Sequence, residues 1–243
     1  MLTRLLDTVA LSHVLIEQDL GEMSTLKANG MTFEVRSFKA EGLGHVSLMN
    51  GTGLFGLSKE ETFIICPIEK DLPLYMYRRT KGKGADTLKI ELYDTQVIES
   101  DLSKLHEVKN LYLDAPDFVP ERQWFDSYKL AESVAKKGKE KHSDRFDSMT
   151  MEYIWAYMAL QPADAEVQIK EKRNRVSSYV EGLLKNGGHY THTFMKSLGV
   201  EKIQQLYRTA LYGTEEWRND MDVPEVAEDV QSVQSVQGVQ YVS

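Results

Sequence analysis

The chain has one cysteine, Cys66, in 243 residues. An internal disulfide is therefore excluded, and so is any metal site built on paired thiolates. Cys66 falls in the apolar run FIICPI, where a thiol is a small buried hydrophobe rather than an accessible nucleophile. This thiol usage fits a reducing compartment, and a cytoplasmic location is expected. Long hydrophobic runs are also missing. No stretch reaches the roughly 18 apolar residues of a membrane-spanning helix. The N-terminal segment MLTRLLDTVALSHVLIEQDL is broken by Asp7, His13 and Glu17, so it lacks the apolar centre of a signal peptide. G-x-x-x-x-G-K-[ST] does not occur, and the one G-x-G-x-x-G, Gly51 to Gly56, leads toward the strand-like run FIICPI rather than opening a helix, so neither common nucleotide fingerprint is present in its required context. There is no G-x-S-x-G elbow, no C-x-x-C and no H-E-x-x-H. Positive charge is scarce, with 29 Lys and Arg against 37 Asp and Glu, for a net charge of −8. That balance argues against broad binding to nucleic acid or to an anionic membrane.

What is present is the composition of a globular protein, 42% hydrophobic and 27% charged. The length suits one domain of mixed class over residues 1–222. From Pro224 the composition changes to EVAEDVQSVQSVQGVQYVS, a Val/Gln/Ser repeat read as a disordered tail over 223–243.

The first element is expected to be an amphipathic helix ending near Gly21, with Leu2, Leu5, Leu6, Val9, Ile16 and Leu20 on one stripe. From Met31 the pattern becomes short alternating segments, MTFEVRSFK and HVSLMN, and Asn50-Gly51 with Gly53 reads as a turn. FIICPI is continuous enough to be a central strand covered on both faces. LPLYMYRRT follows a turn at Lys70-Asp71, and KGKGAD reads as a hairpin loop. TLKIELYDT alternates, with Leu88, Ile90 and Leu92 on one side and Lys89, Glu91 and Tyr93 on the other. These strands imply an antiparallel meander. After Asp101 the chain reads as irregular, interrupted by Pro116 and Pro120. Three helical faces follow: Met151, Ile154, Trp155 and Met158; Val176 to Leu184, stopped at Asn186-Gly187-Gly188; and Ile203 to Leu211, ended near Gly213. Helix, strands, then helices point to an α+β sandwich.

His189 and His192, three residues apart in GGHYTHTF, can share one side of a helix. A metal would need a further ligand, and a polar helix start explains the pair equally well. Tyr75, Tyr77 and Tyr93 with Met49 and Met76 make the strands rich in aromatic and thioether groups. They form either ordinary core or a flat pocket for a planar ligand, with Arg78 or Arg79 as its cation.

Three anchors carry a family resemblance. One is FIICP, then LPLYMYRR, then LKIELYDTQV, comprising Phe63 to Pro67, Leu72-Pro73-Leu74-Tyr75 and Ile90 to Val97. Another is WFDSYKL at Trp124 to Leu130. The last is the C-terminal series LLKNGG, FMKSLG and VEKIQQLYRTALYGT. In this order, over about residues 31–214, the chain resembles the ferredoxin-dependent bilin reductases and red chlorophyll catabolite reductase. The resemblance implies an α/β/α sandwich holding a linear tetrapyrrole between the sheet and the C-terminal helices. It also implies reduction by ferredoxin as external electron donor, with no metal or flavin bound.

The resemblance puts Leu74, Met76 and Arg78 on the substrate face, with Thr62 and Asn186 also at the substrate. Three of the family's proton-handling positions are altered. The acidic one falls on Arg78, which cannot act as an acid near neutral pH. The histidine falls near Thr62, and the Asn-Asp pair falls on Asn186-Gly187. Either Arg78 clamps a propionate while Glu91, His189 or His192 supplies protons, or Arg78 faces solvent or an ion pair and the protein is a non-catalytic binder. For ferredoxin docking, Lys81, Lys83, Lys136, Lys137 and Lys139 are the basic candidates.

Overall fold

Eight strands make one antiparallel sheet in the computed structural model, which describes residues 1–53, 56–162 and 167–220. In chain order they are β1 (Leu15–Glu17), β2 (Thr25–Ala28), β3 (Met31–Ala40), β4 (Gly44–Gly53), β5 (Ser58–Cys66), β6 (Leu74–Gly82), β7 (Ala85–Tyr93) and β8 (Val134–Lys139). The path runs β1-β3-β4-β5-β6-β7-β8, with β2 also paired to β3. The apolar run in β5 thus lies at the centre of the sheet. The β6–β7 loop is the two residues Lys83 and Gly84, at φ 51° and 74°. Positive φ at both centres is what a twisted two-residue hairpin requires.

The period of two along each strand separates two cores. Phe63, Ile65, Tyr75, Tyr77, Leu88, Ile90 and Leu92 pack under α1 (Leu2–Ala10), α2 (Ser103–Asn110) and α3 (Ser143–Met158). Ile64, Cys66, Leu74, Met76 and Tyr93 pack under α4 (Ile169–Asn186), α5 (Thr191–Gln205) and the π-helical turn Leu206–Leu211. The result is the α/β/α sandwich expected of the sequence. No described helix is long and apolar enough to cross a membrane.

Several elements differ from the sequence reading. The first helix stops at Ala10, and residues 15–17 instead pair with β3, Leu15 opposite Ala40. Ile16 is then on an exposed edge, because spacing along a strand follows two residues and not 3.6. Asn50 and Gly51 lie inside β4, not in a turn. A Cβ on Gly51 would sit 2.5 Å from the Phe33 ring of β3, so glycine here makes room for a cross-strand aromatic. Helix α3 buries Phe146, Met149, Tyr153, Ile154 and Tyr157 and leaves Trp155 56% exposed. The stretch after Asp101 contains α2 and β8. The Val/Gln/Ser tail lies outside the described residues.

Candidate active site

A cavity of about 310 Å³ opens on the α4/α5 side of the sheet, between β6–β7, the segment 118–129 and the start of α5. Alternation brings Arg78 from β6 and Lys89 and Glu91 from β7 to this face. Met76 is opposite Glu91 and Arg78 is opposite Lys89, so Arg78 and Glu91 are diagonal neighbours. Phe125 and Lys129 close one wall, and His189 and His192 another.

Glu91 is 3% exposed. Its Oε1 accepts from Lys129 Nζ at 2.8 Å, and Lys129 also reaches Asp126 at 2.7 Å. Its Oε2 is shielded from solvent and has no hydrogen-bond partner among the described residues. Burial raises the Glu91 carboxyl, but its neighbours His189, Lys129 and Arg78 outweigh it and hold the group down at about 2, with Lys129 and Arg78 the standing cations at neutral pH. The carboxylate is ionised at neutral pH.

His189 is placed by the break after α4. Gly187 takes φ 88°. A Cβ on Gly188 would come within 2.4 Å of the Tyr207 hydroxyl, so only glycine passes there. The Tyr207 hydroxyl accepts from Tyr190 N at 2.9 Å, Thr191 Oγ1 accepts from Gly188 N at 2.7 Å, and Trp124 Nε1 donates to Gly187 O at 2.8 Å. Held in this way, the His189 ring packs on Phe125 at 4.3 Å between centroids. Its Nδ1 lies 3.1 Å from Arg78 Nη1 and its Nε2 3.3 Å from the Tyr93 hydroxyl. Burial and the Arg78 charge lower the imidazole to about 3, against the opposing pull of Glu91. It is neutral at physiological pH. Arg78 stays charged despite burial, stabilised by Tyr190, Glu91 and Glu60, with the Glu60 carboxylate 3.7 Å away. Its Nε has no partner among the described residues. Together these groups can accept N–H donors, bind an anion and hold a neutral imidazole against a ligand.

No family model and no curated protein sequence matches this chain. In three dimensions it is similar to the crystal structure of selenomethionyl phytochromobilin synthase from tomato in complex with biliverdin, with a TM-score of 0.70. The match covers 90% of this chain and 84% of that one at 12% identity. The fold is that of the bilin reductases. At this identity the likeness establishes the fold alone.

On the bilin reductase fold, the sequence-derived residues divide into two groups. Arg78, Glu91, His189 and His192 line one cavity. Leu74 and Met76 share its strand face but are fully buried under α4 and α5. Thr62, opposite Arg78 across the strands, is buried with its hydroxyl against that of Tyr190. Asn186 is exposed at the end of α4, outside the cavity lining. Arg79 points to the other face and is enclosed by Asp86, Asp147 and the Ser143 carbonyl. It is a structural ion pair and not a pocket cation. Lys136 is buried as well, bonded to Tyr112 O, Ala115 O and Asp117, so it is not a docking lysine. Among the described residues, no group of three His, Cys, Asp or Glu side chains is arranged to hold a metal ion. Sequence reasoning missed Lys129 and Phe125 as cavity residues. Both come from a short 3₁₀ stretch and its exit, which carry no periodic signal.

Proposed function

We propose that the protein binds a linear (opened) tetrapyrrole in this cavity and reduces it with electrons from ferredoxin. The observation that carries the reading is Glu91, a buried ionised carboxylate with a free acceptor atom, lining a cavity on a bilin reductase fold. Pyrrole and lactam N–H groups are the donors such an acceptor lacks, and an unmade hydrogen bond to a buried charge is costly. Arg78 and Lys89 supply cations for propionate groups. The cavity lies at the small end of ligand sites, which run from about 300 to 1,000 Å³. It is open on one side, so the outer part of a tetrapyrrole rests in its mouth.

In this reading no metal or flavin is held, and the electrons pass from ferredoxin to the bound ligand. Each double bond reduced takes up two electrons and two protons. Negative charge arriving on the ligand raises the adjacent His189, which then accepts a proton from solvent and passes it on. A basic edge lies beside the mouth. Lys83 is at the β6–β7 hairpin tip, Lys139 pairs with Ala85 and Lys137 with Thr87. Lys137 and Lys89 both lie over the Phe118 ring of the cavity lining. An acidic ferredoxin is complementary to such an edge.

A second reading, non-catalytic tetrapyrrole binding, is favoured by one observation. At neutral pH Glu91 is ionised and His189 is neutral, so neither is a ready acid in the resting site. Titration with biliverdin, followed in the visible spectrum, tests the shared part. A saturable band shift at about one equivalent is expected, and its absence would remove both readings. Ferredoxin-coupled turnover then separates them: loss of the biliverdin band supports the reductase, and a stable complex supports the carrier.

A further inference from the structure

Arginine carries five N–H donors and no acceptor. The 3.1 Å contact between Arg78 Nη1 and His189 Nδ1 therefore places a lone pair, and no proton, on Nδ1. The ring proton belongs to Nε2, directed at the Tyr93 hydroxyl 3.3 Å away. An imidazolium in this position would set N–H against N–H and charge against charge. The charged and titratable groups facing the ring come from every adjoining element. Arg78 lies on β6, Lys89, Glu91 and Tyr93 on β7, Glu121, Asp126 and Lys129 on the cavity wall, and His192 on α5. Glu91 is the main group favouring the imidazolium, and one of its oxygens already holds Lys129 at 2.8 Å, while the lining carboxylate of Asp126 is likewise paired to Lys129.

We propose that Arg78 is a positioning residue: by donating to Nδ1 it fixes His189 as the neutral Nε2–H tautomer, so the resting cavity meets its ligand with the Glu91 carboxylate and no cationic acid. Arg78 thereby sets the proton inventory of the site. Only the ligand's identity rests on the function proposed above; the tautomer does not. Without the guanidinium, burial, Lys89 and Lys129 still oppose the imidazolium, but Nδ1 is open to a proton and the pull of Glu91 is no longer countered by Arg78.

The test uses the full chain labelled with 15N-histidine and no ligand, with the His189 signals assigned by their loss in His189→Gln. Spectra are recorded over about pH 4.5 to 8, which spans the ordinary histidine range. In the wild type, Nε2 is expected to be protonated, Nδ1 unprotonated and the ring untitrated throughout. In Arg78→Met, His189 is expected to bind its proton at least a hundredfold more tightly, which brings its titration into this range. Arg78→Lys, which keeps charge and donors, is expected to restore the wild-type behaviour. Should Arg78→Met fail to fold, Arg78→Gln removes the charge while keeping an N–H donor, and tighter proton binding is again expected. A proton on Nδ1 in the wild type, ordinary titration there, or an unchanged His189 in the folded charge-removed variant would overturn the proposal. Biliverdin added afterwards separates the two ideas: an intact tautomer with no band shift removes tetrapyrrole binding and leaves the role of Arg78 standing.

Discussion

Glu91 is held by one partner where a buried carboxylate commonly has several. Lys129 takes Oε1 and leaves Oε2 unpaired, while Lys129 keeps a second anion in Asp126. One oxygen serves the fold and the other is open to the ligand. In Glu91→Gln the amide retains the shape, and Lys129 remains paired with Asp126. The ligand, however, loses a charged acceptor worth about 1.5–3 kcal/mol. Biliverdin should bind roughly 10- to 100-fold more weakly, by the conversion of about 1.4 kcal/mol per decade, and the melting temperature should fall as the ion pair to Lys129 is lost. Spectral titration and thermal denaturation read the two quantities. Equal affinity in the variant would place the ligand away from Glu91.

At the scale of elements, legibility followed the period. The β5–β7 meander could be read because its apolar positions alternate, and the same alternation put Lys89, Glu91 and Tyr93 together on one face. Strand β8 was hidden because VAKKGK looks like a solvated basic run. Lysines of this kind are usual on an edge strand, and here one of them turns inward. The cavity wall at 118–129 has no repeat to read, and neither the sequence nor its spacing pairs Lys129 with Glu91 across 38 positions; only the folded register does. Lys136 shows what the inward lysine does. Its ammonium donates to Tyr112 O and Ala115 O, both at 3.0 Å, and meets Asp117 at 2.7 Å. It thereby ties the chain leading into the cavity wall to the sheet. Lys136→Met orphans Ala115 O, while Tyr112 O keeps the Ala115 N–H, and at about 1–3 kcal/mol for an orphaned group it should destabilise by on the order of 1–3 kcal/mol. Lys137→Met, on the exposed side of the same strand, should be near neutral. Urea unfolding compares them; equal effects would mean that the buried ammonium holds nothing.

Across the whole molecule, two histidines, His45 buried and His189 half-buried, link folding to pH. His45 on β4 donates from Nε2 to Ala210 O at 3.0 Å, tying the sheet to the π-helical turn, while Gly213 packs against the other side of its ring. Burial lowers it to about 4, partly offset by that carbonyl, and His189 on the same side of the sheet is lowered to about 3. Both lie below the ordinary value of 6.5. As pH falls below that value the unfolded chain takes up protons that the folded chain refuses, so stability falls with pH. Each histidine adds a slope of up to about 1.4 kcal/mol per pH unit. Glu91 acts in the same direction lower down: its stabilisation is present above its unfolded value of 4.5 and is lost as pH falls toward about 2. Unfolding free energies from urea titrations between about pH 7 and 4.5 should therefore drop steeply, without a plateau near neutrality. His45→Gln keeps a donor for Ala210 O and removes one titrating group, so its slope should be about half that of the wild type. If the slope were unchanged, His45 would be titrating normally in the folded state, and the tie between β4 and the C-terminal turn would have to open to admit the proton.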